Sequence, residues 1–129
     1  MKLRVFQSDK GDCMLLTSSD GRHVLIDGGM SASYREHAAP ALNLLQQAGT
    51  PLDTVYVSHI DQDHIAGVLR MAGDLVAWKV FDFQRANGNP GAPMPDMPRP
   101  PEILKVWNNS FHEQVGVNLV VEVLVALFA

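Results

Sequence analysis

The chain is poor in several things that would mark other kinds of protein. It has one cysteine, Cys13, so no internal disulfide can form. A reducing compartment, the cytoplasm, is the expected location. It has no excess of basic residues: ten Lys and Arg against fourteen Asp and Glu leave a net charge of −4. A static nucleic-acid binder held by phosphate neutralisation is therefore disfavoured, although an enzyme that handles phosphoesters through metal ions is not excluded. The longest apolar stretch, VNLVVEVLVALFA (117–129), is interrupted by Glu122 and falls short of the roughly 20 residues that span a bilayer. MKLRVFQSDKGD at the start lacks the apolar core of a secretion signal. No internal repeat is present. Asp27-Gly28-Gly29 is followed by neither the lysine nor the glycine spacing of a phosphate-cradling loop.

What the chain does have is apolar material for one packed domain: 47% of its 129 residues are hydrophobic, which argues against disorder. LRVFQ (3–7), CMLLTS (13–18) and HVLIDGG (23–29) read as strands, with the Asp20-Gly21 turn making a hairpin of the last two. Residues 33–49 carry apolar side chains at helical spacing and stop at Gly49 and Pro51. Pro40 lies within them, so a kink or a start at Pro40 is expected. LDTVYVSH (52–59) reads as a buried strand, DHIAGVLRMAG (63–73) as a short helix and LVAWKVFDF (75–83) as a further strand. RANGNPGAPMPDMPRPP (85–101) holds six of the eight prolines and reads as a loop or linker. EILKVWNNSFHEQVG (102–116) has the spacing of a helix. The order predicts a layered α/β (α+β) domain with helices covering one face of a sheet.

The chemistry is concentrated in SHIDQDHIAG (58–67). Imidazole nitrogen and carboxylate oxygen are donors that zinc, manganese and iron accept. A strand end followed by a turn lets His59, Asp61, Asp63 and His64 converge. Asp61 and Asp63 crowd each other unless a cation lies between them. The plainer reading is a solvated turn in which Asp63 caps the helix beginning near His64. Cys13, within an apolar strand, reads as a small core residue rather than a nucleophile.

SHIDQDHIAG resembles the metallo-β-lactamase superfamily signature, His-x-His-x-Asp-His followed by glycine, with Asp61 in place of the second His. Together with Gly11-Asp12 and Ile26-Asp27-Gly28-Gly29 upstream, the His-x-Asp-x-Asp-His form is most similar to the hydrolase domain of ComEC/Rec2 competence proteins. The resemblance implies a metal-dependent hydrolase in which metal-activated water attacks an ester or phosphoester, including phosphodiesters or nucleic acid. It implies His59 and Asp61 as ligands of a first ion, and Asp63 and His64 as ligands of a second. Asp63 would also orient or deprotonate the water, and Asp27 would support the ligands from behind. One or two ions, Zn2+ or alternatively Mn2+, are implied, with a small-molecule or phosphoester substrate.

The family fold is an αββα sandwich of two similar halves, the second bringing further His and Asp ligands. The resemblance covers residues 1 to about 83, so the expected organisation is an N-terminal half-domain (1–84), a Pro/Gly-rich loop (85–101) and an incomplete continuation (102–129). His112 is the only histidine after His64 and reads as a helix residue rather than a ligand. Two readings follow: a hydrolase, or a truncated remnant or interaction module that keeps the half-fold without turnover. A homodimer that completes the sandwich is a further expectation.

Overall fold

A computed structural model describes residues 1–109. His112, Phe111, Val115 and the apolar stretch 117–129 lie outside the described residues. Five strands form one sheet in the order β1-β2-β3-β4-β5: β1 (Lys2–Val5), β2 (Met14–Thr17), β3 (His23–Ile26), β4 (Thr54–Val57) and β5 (Val106–Asn108). The first three run antiparallel, while β4 and β5 add in parallel. A parallel neighbour requires a crossover. The first crossover, from β3 to β4, is helical: α1 (Ser31–Ser33), a π-helical turn (Tyr34–Ala38) and α2 (Ala39–Gln47). The second, from β4 to β5, is α3 (Gln62–Ala86) followed by an extended return.

Both crossovers cover the same sheet face. Leu15, Leu25, Val55 and Val57 point under them and share one buried cluster with Tyr34 and Leu42 from the first crossover and Val68, Met71 and Leu75 from α3. The expected disturbance at Pro40 takes the form of the π-helical turn that ends one residue before α2 begins. Proline has no amide hydrogen to donate and crowds the carbonyl four residues back; widening the preceding turn keeps the path helical across it.

Two elements differ from the sequence reading. LVAWKVFDF is not a strand: α3 continues without a break from Gln62 to Ala86. Its apolar residues lie on two sides of the helix, with Leu75 buried and Val76, Val80 and Phe83 exposed, and that two-sided distribution erased the helical period. The helix runs through Gly73, where an added Cβ would meet nothing within 4 Å. Likewise 102–105 is not helical. Ile103 bridges Leu52, and Val106–Asn108 pairs with β4 as the last strand of the sheet among the described residues. Their apparent helical spacing comes from Ile103 and Val106 facing the core while Trp107 points the other way.

The Pro-rich return is fastened to the helices. The Trp78 indole Nε1 donates to the Met97 carbonyl at 3.2 Å, and the Asn43 amide to the Arg99 carbonyl at 2.9 Å. Arg99 pairs with Asp82 and stacks 5.2 Å from the Trp78 ring centre. Among the described residues no helix is long and apolar enough to cross a membrane.

Candidate metal centre

β3 ends at Ile26, and the next residue, Asp27, takes a left-handed backbone conformation (φ 55°). Aspartate tolerates this conformation better than most residues. It turns the chain out of the sheet and directs the carboxylate along the strand end, where it is 1% exposed. The loop that follows is stitched to the start of α3. The Gly28 amide donates to the His64 carbonyl at 2.8 Å, and the Gly67 amide to the Gly29 carbonyl at 2.9 Å. A Cβ on Gly67 would lie 1.9 Å from the Gly28 oxygen, so glycine at both places permits a backbone-to-backbone approach that no side chain allows. Gly11 (φ 70°) packs in the same way: a Cβ there would lie 1.8 Å from the Asp63 carbonyl oxygen. This close contact brings Asp12 to the same place.

The donors meet there. Asp12, Asp27 and His64 each offer a ligand atom, and the three atoms lie within 4.8 Å of one another. One oxygen of Asp27 accepts from the Ser58 amide at 2.7 Å. The other accepts from the Ser58 hydroxyl and lies 3.0 Å from His64 Nδ1. A carboxylate oxygen accepts here, so His64 Nδ1 carries the hydrogen, and in the neutral ring Nε2 keeps its lone pair. This hydrogen bond is the main cause holding the His64 pKa above its ordinary value. Burial opposes it, and the negative charges of Asp27, Asp63 and Asp12 add to it.

The four residues of the sequence cluster are placed unequally. Oδ2 of the half-buried Asp63 lies 3.9 Å from His64 Nε2. The exposed His59 ring is tilted against His64 with centroids 5.1 Å apart, its Nδ1 3.0 Å from the Ser58 hydroxyl. Asp61 is the N-cap residue of α3. Its carbonyl accepts from the His64 and Ile65 amides, and its exposed carboxylate makes no capping hydrogen bond. Among the described residues, then, His64 is the member of the cluster whose donor converges with other carboxylates, and two of its partners come from elsewhere in the chain. The sequence marks Gly11-Asp12 as a motif but does not place Asp12 beside Asp27 and His64. Ser58, which orients Asp27 through both its amide and its hydroxyl, had no sequence signal beyond its place beside the cluster.

Carboxylate and imidazole donors suit a divalent first-row ion. Among the described residues no Lys or Arg ion pair offsets Asp12, Asp27, Asp61 or Asp63. This concentration of negative charge suits a bound cation. A cavity of about 570 Å³ lies instead at the opposite end of the sheet, lined by Thr50, Pro51, Trp78, Arg99 and Ile103 among others, and it contains none of the donors. The chemistry of the side chains, not the size of a hollow, marks the site.

A sequence model of the metallo-beta-lactamase superfamily matches residues 8–77. The chain belongs to the metallo-beta-lactamase superfamily. The matched segment contains every donor described above, from Asp12 through Asp27 to His64, and it ends within α3. Membership in this superfamily points to metal-dependent hydrolysis. Comparison with curated proteins yields no match.

Proposed function

We propose that the chain is a metal-dependent hydrolase acting on an ester or phosphoester, of the ComEC/Rec2-like branch, whose substrates include phosphodiesters or nucleic acid. The observation that carries the reading is the convergence of Asp12, Asp27 and His64 at the junction of β3 with α3, inside the segment that matches the superfamily. His59, Asp61, Asp63 and His64 are the proposed metal-binding residues, joined by Asp12. The set accepts zinc and, being rich in oxygen, also manganese, as one or two ions. The described sheet with its two crossovers corresponds to an N-terminal half of the fold.

A bound divalent ion supplies Lewis acidity toward the scissile bond and lowers the pKa of a coordinated water. The residues of the chain do the rest. Asp27 holds the His64 ring in one orientation and one tautomer through Nδ1, leaving Nε2 to face the donors. Ser58 in turn locks Asp27. Asp63, beside His64 Nε2, orients the attacking water and takes its proton. His59 and Asp61 lie on the exposed rim, where a bulky substrate has access. The buried, unpaired thiol of Cys13 suits a reducing compartment such as the cytoplasm.

The test is turnover of a chromogenic phosphodiester and a chromogenic ester by zinc- or manganese-loaded protein. Activity should fall by about 10²-fold or more in Asp63→Ala and in His64→Ala. Turnover that survives both substitutions would refute the site. No turnover by a folded, metal-loaded chain would favour the alternative of an inactive half-fold.

A further inference from the structure

A substrate that carries negative charge is repelled by a centre rich in carboxylates, and the chain has few cations to set against that. The three segments that build the metal centre, 8–12, 26–30 and 58–67, hold Asp9, Asp12, Asp27, Asp61 and Asp63 but a single Lys or Arg, Lys10. The other basic side chains are engaged or placed elsewhere. Arg22 is held by Asp20, Arg35 and Arg70 by Asp74, and Arg99 by Asp82. Arg4, Arg85 and Lys105 lie against the rings of Phe6, Phe81 and Trp107. Lys2 is in register with Thr17, which pairs with His23 at the end of β3 away from the centre. Lys79 lines the cavity at the opposite end of the sheet. Residues 110–129 contain neither Lys nor Arg. Lys10 is exposed and makes no ion pair among the described residues.

The loop that carries Lys10 is fixed against the centre from two sides. The Ser8 hydroxyl donates to the Gly11 carbonyl at 2.7 Å, and the Ser8 carbonyl accepts from the Lys10 amide at 2.7 Å and from the Met30 amide at 3.4 Å. A Cβ on Gly29 would lie 2.6 Å from the Ser8 Cβ, so this side of the loop packs directly on the chain that follows Asp27. On the other side Gly11 meets the Asp63 carbonyl. The backbone of Lys10 is thereby held two residues from Asp12, while its four-carbon stem stays free to follow a ligand. We infer that Lys10 is a substrate-binding residue: its ammonium holds a non-bridging oxygen of a phosphodiester at the metal centre, and so favours anionic phosphodiesters over neutral esters. This inference rests on the hydrolase reading and narrows its substrate class. A hydrogen bond from an ammonium to a phosphate oxygen is charge-assisted on both sides, whereas a neutral ester offers the same ammonium no charge to meet.

The experiment compares two dinucleotides on the zinc- or manganese-loaded full chain, one joined by an anionic phosphorothioate and one by a neutral methylphosphonate. Calorimetry gives both dissociation constants for wild type, Lys10→Met, Lys10→Arg and Lys79→Met, with metal content measured on the same samples. Lys10→Met should weaken binding of the anionic dinucleotide by about tenfold or more and leave the neutral one unchanged. Lys10→Arg should restore most of the loss, and Lys79→Met should have no effect. In turnover, Lys10→Met should raise KM for a chromogenic phosphodiester more than it lowers kcat, and should leave a neutral chromogenic ester unaffected. Equal affinity of wild type and Lys10→Met for the anionic dinucleotide would overturn the inference. So would an equal loss for both dinucleotides or a loss of metal from Lys10→Met, because the loop would then act only by shaping the centre. Failure of metal-loaded wild type to bind the anionic dinucleotide would overturn it as well. Binding that depends on Lys10 and on the ligand charge, without turnover of any ester, would support the role of Lys10 and refute the hydrolase reading instead.

Discussion

Oδ2 of Asp27 lies 3.0 Å from Nδ1 of His64, a residue 37 positions further along the chain. This contact joins the end of β3 to the first turn of α3 and sets which imidazole nitrogen is left for a metal. Asp27→Asn tests it. Asparagine also tolerates the left-handed backbone at this position, so the fold should survive. Metal affinity should drop by about 10- to 100-fold, as for other residues that orient a ligand from behind. Competition with a chelating dye measures the change. Unchanged affinity would mean that Asp27 serves only the fold.

Two glycines in α3 predict opposite signs for the same substitution. At Gly73 an added Cβ meets nothing within 4 Å. Gly73→Ala should therefore stabilise the protein by about 0.5–1 kcal/mol through helix propensity alone. At Gly67 the Cβ would run into the Gly28 backbone. Gly67→Ala should cost about 3 kcal/mol or more despite the same propensity gain. Urea unfolding of the two variants reads both signs.

How much was legible in the sequence follows from such contacts. Local patterns carried the hairpin from β2 to β3, the helix near Pro40 and the strand before the cluster, because period and turn residues act over a few positions. In the second half of α3, Val76, Val80 and Phe83 face outward and mask the helical period, so the sequence pattern suggests a strand. The helical spacing at β5 misleads because its identity depends on pairing with β4, which no local spacing records. At the site, the residues near His64 were legible as a motif. The convergence of Asp12 and Asp27 on His64 required two close backbone approaches through Gly11, Gly28 and Gly67. Those contacts are tertiary, and no local pattern records the place of Asp12 beside His64.

Asp74 is 3% exposed and bound by Arg35 at 2.7 and 3.0 Å, with Arg70 at 3.9 Å. Burial pushes its pKa above the usual carboxylate range, and the two arginines pull it partly back. Arg35→Met removes the closer partner and should destabilise the protein by about 3 kcal/mol near neutral pH. The folded state of the variant binds the Asp74 proton more readily than the unfolded chain does. Its stability should therefore fall as pH rises through the folded pKa, and its deficit should shrink in acid. Unfolding curves at about pH 5 and about pH 7.5 measure this. A deficit that grows in acid would contradict the assignment.

Cys13 is 1% exposed, and its pKa is pushed up to about 12 by burial first and by the Asp27 charge second. A raised thiol pKa keeps the sulfur protonated and unreactive through the neutral range. Native protein should resist a thiol reagent from about pH 7 to about pH 10 and label fully once unfolded in denaturant. Prompt labelling of the native state would show that β2 opens readily.

The central claim is that the cluster binds metal, and elemental analysis of the purified chain tests it most directly, with wild type beside Asp63→Ala/His64→Ala. The account predicts one or two zinc or manganese ions per folded wild-type chain, and their loss in a double variant that keeps its fold. Folded wild-type protein that holds no metal after incubation with either ion would contradict it.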